Sequence, residues 1–295
     1  MAEQCCARVI CIGSASSQMQ TVALASGERV PALGQGTWNM GDKRELRREE
    51  IATLQLGLDL GLKLIDTAEM YGEGNSEELI GEAITGRREE AFLVSKVYPH
   101  NATRKGAVAA CERSLKRLRT GHIDLYLLHW RGNVKFAETL EAFTALQAAG
   151  KIRHFGVSNL DLDELREFVS TPGGKGVATN QLLYNLTRRG IELDLLPWLR
   201  ERNIPVMAYS PIEQSKLSRN SRLADFARDR GMTAAQAALA WLLARDGVIA
   251  IPKTGQRERL RENAGALDHA LTREDLAELD QLFPPPNAPV PLQML

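Results

Sequence analysis

Residues 92–129 read FLVSKVYPHNATRKGAVAACERSLKRLRTGHIDLYLLH, and the fold is decided here. The stretch opens with a β-rich run at 92–97 and closes with another at 123–129. Between them Ala107, Ala110, Cys111, Ser114, Leu115 and Leu118 fall at i, i+3, i+4, i+7, i+8 and i+11, one stripe of an amphipathic helix. A strand, a helix with one apolar face and a second strand form the repeating unit of a parallel sheet.

Outward from this unit the same alternation continues. Short β-rich runs fall at 32–36, 62–67, 92–97, 123–129, 154–159, 178–184, 205–210 and 247–253, with helical periodicity between them. Phe136, Leu140 and Phe143 mark the helix after the fourth run, and Ala234, Ala237, Ala238, Trp241 and Leu242 the one before the eighth. Thr233 with Gln236 gives the latter a capping box. Eight strands alternating with helices, without doubling, predict an α/β fold of the (β/α)8 TIM-barrel type. An N-terminal hairpin is expected from 21–24 through Ser26-Gly27 to 29–31, and an extra C-terminal helix over 272–283 before a proline-rich tail. Residues 213–231 read as an insertion, a loop and a short helix. One domain over 19–295 is expected, with 1–18 a disordered N-terminal extension.

Composition narrows the function. Thirty-seven Lys+Arg balance 37 Asp+Glu, so no basic footprint for nucleic acid or an anionic membrane is present. No run approaches the length of a membrane span, and the apolar segment 8–13 is short for a secretory signal. Cys5, Cys6, Cys11 and Cys111 have neither a disulfide framework nor metal-ligand spacing, which fits free thiols in a reducing cytoplasm and no metal site. The expected partner is a small molecule, and the expected state a monomer or weak oligomer.

Barrels of this kind do chemistry at the carboxyl ends of their strands. Those ends carry Asp66, Lys96, His129, Ser158, Asn159, Gln181, Tyr209 and Lys253, with Tyr71 in the loop after the second strand. A tyrosine hydroxyl ordinarily titrates near ~10. An adjacent ammonium lowers that value, and a carboxylate can hold the ammonium in place; Lys96 and Asp66 are the available partners. A histidine beside them could orient a carbonyl oxygen. The same residues also have structural uses. Asp66 and Lys96 could form a plain salt bridge, Tyr71 could be a packed loop aromatic, and His129 a satisfied core histidine.

Longer motifs surround these residues. They are LIDTAEMYG at 64–72 with SEELIG at 76–81, VSKV at 94–97, DLYLLH at 124–129, and GKIR at 150–153 with FGVSN at 155–159. Asn180-Gln181, AYSP at 208–211 and IPKT at 251–254 complete the set. Over residues 22–283 the sequence resembles the aldo-keto reductase superfamily, and within it bacterial reductases of the methylglyoxal-reductase type. The resemblance implies an NADPH-dependent reductase of small aldehydes and ketones. By it, Tyr71 is the general acid, Lys96 and Asp66 tune it, and His129 orients the substrate. Ser158, Asn159 and Gln181 would hold the nicotinamide carboxamide and Tyr209 would stack on its ring. Gly36, Thr37, Trp38, Asp66, Ser210 and Pro211 would complete the cofactor's surroundings. Lys253, Thr254 and Arg259 match the grip on the 2′-phosphate, with Glu262 and Asn263 at the adenine. The family binds its dinucleotide without a Rossmann domain, which accounts for the missing G-x-G-x-x-G loop.

Trp38, Tyr98, His129 and Trp130 are expected around the substrate, the three larger aromatics as apolar walls. Short loops favour small aldehydes and dicarbonyls over steroids. The 213–231 insertion lacks the glycine-rich loop that often folds over the pyrophosphate, so freer cofactor exchange is expected, and the brief tail is expected to supply little of the pocket. Two other readings compete: a Schiff-base lyase with Lys96 as nucleophile, and a nucleotide-binding regulatory barrel without turnover.

Overall fold

Strands buried on both faces need no alternation, and the two runs that open and close residues 92–129 show this directly. In the computed structural model, which describes residues 19–295, β5 (Phe92–Val97) and β6 (Ile123–Leu128) are buried at every position. The extension expected at 1–18, with Cys5, Cys6 and Cys11, lies outside the described residues. The helix between the two strands, α3 (Arg104–Leu118), buries Ala107, Ala110, Cys111, Ser114, Leu115 and Leu118, the stripe read from the sequence.

A two-stranded antiparallel hairpin comes first, β1 (Thr21–Ala23) and β2 (Arg29–Pro31). The barrel then runs β3 (Gln35–Gly36), α1 (Arg47–Asp59), β4 (Leu64–Asp66), α2 (Asn75–Ala83), β5, α3, β6, α4 (Phe136–Ala148), β7 (Ile152–Ser158) and α5 (Leu162–Ser170). It continues through β8 (Asn180–Leu183), α6 (Leu195–Glu201), β9 (Val206–Tyr209), α7 (Ser221–Arg228), α8 (Ala234–Leu243), β10 (Val248–Ala250), α9 (Arg257–Ala264) and α10 (Arg273–Leu282). Helix α7, with two short 3-10 turns before it, is the insertion, and α10 is the extra C-terminal helix.

All eight barrel strands pair in parallel in chain order from β3 to β10. The first and last meet through parallel bridges, Leu33 with Ala250 and Gly36 with Lys253, so the sheet closes on itself. At Gly36 a Cβ atom would come within 2.8 Å of the Ile251 carbonyl oxygen, so glycine lets the closing strands approach. Most paired segments are shorter than the apolar runs that announced them: 32–36 contracts to Gln35–Gly36 and 247–253 to Val248–Ala250. The seventh begins earlier than its predicted run, at Ile152. An apolar run marks burial, whereas a ladder also needs a neighbour in register.

The hairpin marks the floor. Glu28 in its turn accepts a hydrogen bond from Arg153 and contacts His154, both at the start of β7, and Arg153 also donates to Asp124 at the start of β6. The amino end of the barrel is therefore closed, and the carboxyl end is left for a site.

Candidate active site

Strand β4 ends on Asp66, and the next turn, Tyr71–Gly74, carries Tyr71 back over the barrel mouth. That turn holds Gly72 and Glu73 at positive φ, where glycine is the residue that fits at no cost. Strand β5 places Lys96 beside both, fully buried. Its ammonium donates to Asp66 Oδ2 at 2.8 Å, to the Thr67 carbonyl at 2.8 Å and to Tyr71 OH at 3.1 Å. All three of its donor positions are thus engaged. Asp66 Oδ1 accepts from Gln181 Nε2 at 2.7 Å, which ties β4 to β8 across the barrel.

Electrostatics in this cluster oppose one another. Burial disfavours the Lys96 ammonium, but Asp66 and Tyr71 outweigh it and hold its pKa above the ordinary lysine value. For Tyr71 the balance runs against the expectation from sequence. Burial raises its pKa, Lys96 lowers it, Asp66 raises it again, and the net direction is upward. The expected lowering is overturned because the hydroxyl sits in a site where a phenolate is poorly solvated. Tyr71 is consequently a neutral phenol at physiological pH.

His129 follows β6, with its ring centroid 6.0 Å from that of Tyr71 and 4.8 Å from that of Trp130. Burial, reinforced by the Lys96 charge, pushes its pKa down to about 2, so the imidazole is neutral. Its Nδ1 is buried without a hydrogen-bond partner among the described residues. Asn159, in the left-handed region at φ 56°, donates from Nδ2 to the His129 carbonyl at 3.2 Å and to Ser158 Oγ at 3.1 Å. Its Oδ1 accepts from Tyr209 OH at 3.0 Å. Ser158 in turn donates to the Gln181 carbonyl, and Thr37 spends its hydroxyl on the Asp66 carbonyl.

These groups border a cavity of about 740 Å³. Of the residues expected at the site, Gly36, Thr37, Trp38, Asp66, Tyr71, His129, Trp130, Ser158, Asn159, Gln181, Tyr209, Ser210, Pro211 and Lys253 line it. Lys96 lies beneath its floor, reaching it through Tyr71. Tyr98 does not line it, which corrects its assignment as a wall. Its hydroxyl donates to Glu73 at 3.1 Å and its ring meets Trp130 edge-on at 6.0 Å, so it backs the wall that Trp130 forms. Thr254, Arg259, Glu262 and Asn263 also stand outside the cavity, on the segment from β10 into α9. Sequence reasoning missed Met70, Ile212, Gln214, Ser215, Met294 and Leu295, which do line it. The tail adds only Met294 and Leu295 to the lining, in keeping with the small contribution expected of it.

Two features suit a dinucleotide. Helix α9 begins without a side-chain cap from Gln256; Glu49 takes the Arg257 N–H at 3.4 Å, and the next first-turn N–H groups, of Glu258 and Arg259, stand near Lys253 and Thr254 for an anion. At the other end, His129, Asn159 and Gln181 bring polar side chains to the cavity lining, groups of the kind that suit a flat amide and a carbonyl.

A closed parallel barrel with a buried tyrosine–lysine–aspartate cluster at its open end defines the class: an α/β barrel with a polar site at the carboxyl ends of its strands. The chain belongs to the aldo/keto reductase family, whose sequence profile matches residues 32–283. It is 47% identical over 283 residues to methylglyoxal reductase YeaE of Escherichia coli K12, covering 94% of this chain and all of that protein. Glyoxal reductase of Bacillus subtilis 168 is 33% identical, covering 90% of this chain and 94% of its own length. An aldo-keto reductase from Klebsiella pneumoniae, solved in complex with NADPH, superposes with a TM-score of 0.92 at 47% identity, covering 94% of this chain and 100% of that one.

Proposed function

We propose that this chain uses NADPH to reduce small aldehydes and ketones, dicarbonyls such as methylglyoxal among them, with Tyr71 as the general acid. The observation that carries this reading is the neutral Tyr71 hydroxyl, 3.1 Å from an ammonium that Asp66 fixes, at the base of an apolar-walled cavity. Methylglyoxal and glyoxal reductases among the relatives, and the NADPH complex of the Klebsiella pneumoniae enzyme, support it.

When bound, NADPH supplies the hydride. Asn159, Gln181 and Ser158 would hold the carboxamide of its nicotinamide, Tyr209 would lie against the ring, and Gly36, Thr37, Trp38, Ser210 and Pro211 would border it. Lys253, Thr254 and Arg259 would take the 2′-phosphate, with Glu262 and Asn263 at the adenine. The remaining work belongs to the chain. Tyr71 gives its proton to the carbonyl oxygen as negative charge develops there, and Lys96 stabilises the phenolate left behind. Neutral His129 donates a hydrogen bond to the same oxygen without competing as an acid. Trp38, Met70, Trp130 and Ile212 present apolar surface that excludes water.

The lyase reading is disfavoured by the same geometry. A nucleophilic lysine must reach a carbonyl carbon with a free lone pair, whereas Lys96 is fully buried, held protonated and triply hydrogen-bonded. Purified protein mixed with NADPH and a panel of small aldehydes should consume the nicotinamide absorbance, faster than with NADH. Binding of NADPH without turnover of any aldehyde would instead favour a regulatory barrel, and borohydride trapping of substrate on Lys96 a lyase.

A further inference from the structure

The segment after β9 takes a conformation that its sequence resists. Ser210, Glu213, Gln214 and Ser215 all lie at positive φ, between 46° and 70°, and none is glycine. Residues with a Cβ occupy this region at a cost, so three in succession persist only where their surroundings hold them. The holding group is the Glu213 carboxylate, which is almost completely buried. Oε1 accepts from Arg188 Nε at 3.0 Å and Nη2 at 2.8 Å, and Oε2 accepts from Asn185 Nδ2 at 2.8 Å. Asn185 is itself fully buried and also donates to the Ser210 carbonyl at 2.9 Å, so one amide group bridges the start of the segment and its middle. Its own Oδ1 accepts from the backbone and hydroxyl of Thr187, which fixes the amide's orientation.

The strained segment is part of the cavity wall: Ser210, Pro211, Ile212, Gln214 and Ser215 all line it, whereas Glu213 points away into the clamp. We propose that Glu213, held by Arg188 and Asn185, is a positioning residue that latches residues 210–215 against the bound cofactor and sets how fast NADPH leaves. The inference rests on the cofactor reading above. It replaces the expectation of freer exchange, which followed from the absence of glycines. Here the left-handed turns form without them, and the energy that glycine would have spared is supplied by a charge-assisted arginine–carboxylate pair, two N–H groups on one oxygen, and a buried amide on the other.

The test compares wild type with Glu213→Gln, which keeps the shape and removes the charge, and with Arg188→Met, which removes the other half of the pair. NADPH release is followed by stopped-flow fluorescence, and hydrogen exchange over 210–217 is measured on cofactor-free protein. Both variants should release NADPH roughly fivefold faster or more, raise the KM for NADPH more than they change kcat, and exchange faster locally. Glu213→Asp, which retains the charge, should restore part of the slow release. Faster exchange with unchanged release would show that the clamp serves folding alone, and unchanged exchange would show that it holds nothing; either overturns the proposal. Failure of the wild type to bind NADPH, with the exchange effect intact, would instead sink the cofactor reading while leaving the clamp.

Discussion

His129 shows how burial sets the chemistry of single residues in this site. An unperturbed histidine is half-charged near ~6.5. Here burial and the neighbouring ammonium bring the value down to about 2, so the folded protein binds fewer protons at this ring than the unfolded chain does. Stability from His129 is therefore present above the unfolded value and is lost as pH falls below it. Between pH 7 and pH 5 the loss should be about 2 kcal/mol. Urea unfolding at both pH values checks this: His129→Gln should lose correspondingly less than wild type, and equal losses would refute it. Tyr71, Lys96, Asp66 and His129 were each visible in sequence as candidates, because all sit at strand ends or just beyond. Their balance of charge was not. The upward direction of the Tyr71 pKa depends on how deeply the loop after β4 folds back, which no spacing reveals.

At the scale of elements, periodic patterns with caps were read best. Helix α8 begins where Thr233 and Gln236 said it would, with both hydrogen bonds of the capping box formed, at 2.9 and 3.2 Å. The Gln236 side chain also donates to the Glu262 carbonyl, so this cap braces α9, the helix that carries Arg259 and Asn263. Thr233→Ala should lower unfolding free energy by about 1 kcal/mol, measured by chemical denaturation, and no loss would argue that the cap is idle. The loop after β9 was the least legible element. Glutamate, glutamine and serine in left-handed conformations carry no turn signature, and their stabilising partners Asn185 and Arg188 lie about two dozen residues upstream. The role of Tyr98 was misjudged for a similar reason: its strand-end position was right, but its ring turned toward Glu73 and Trp130.

For the whole molecule, the fold followed from eight alternations, and closure came from the two bridges that join the first and last strands, Leu33 with Ala250 and Gly36 with Lys253. The hairpin seals the amino end while the chain's last residues, Met294 and Leu295, reach around to the carboxyl end. That last contact was hidden in a proline-rich stretch without periodicity, whose path depends on what it packs against. The architecture concentrates polar side chains in one cavity, and the whole enzyme's turnover reports on them together. The most direct measurement is a single turnover of the preformed NADPH complex with methylglyoxal, in wild type and in Tyr71→Phe. A phenol acting as general acid predicts that Tyr71→Phe slows loss of the nicotinamide absorbance by about 10²- to 10⁴-fold while NADPH still binds. Reduction by Tyr71→Phe at close to the wild-type rate would contradict the account.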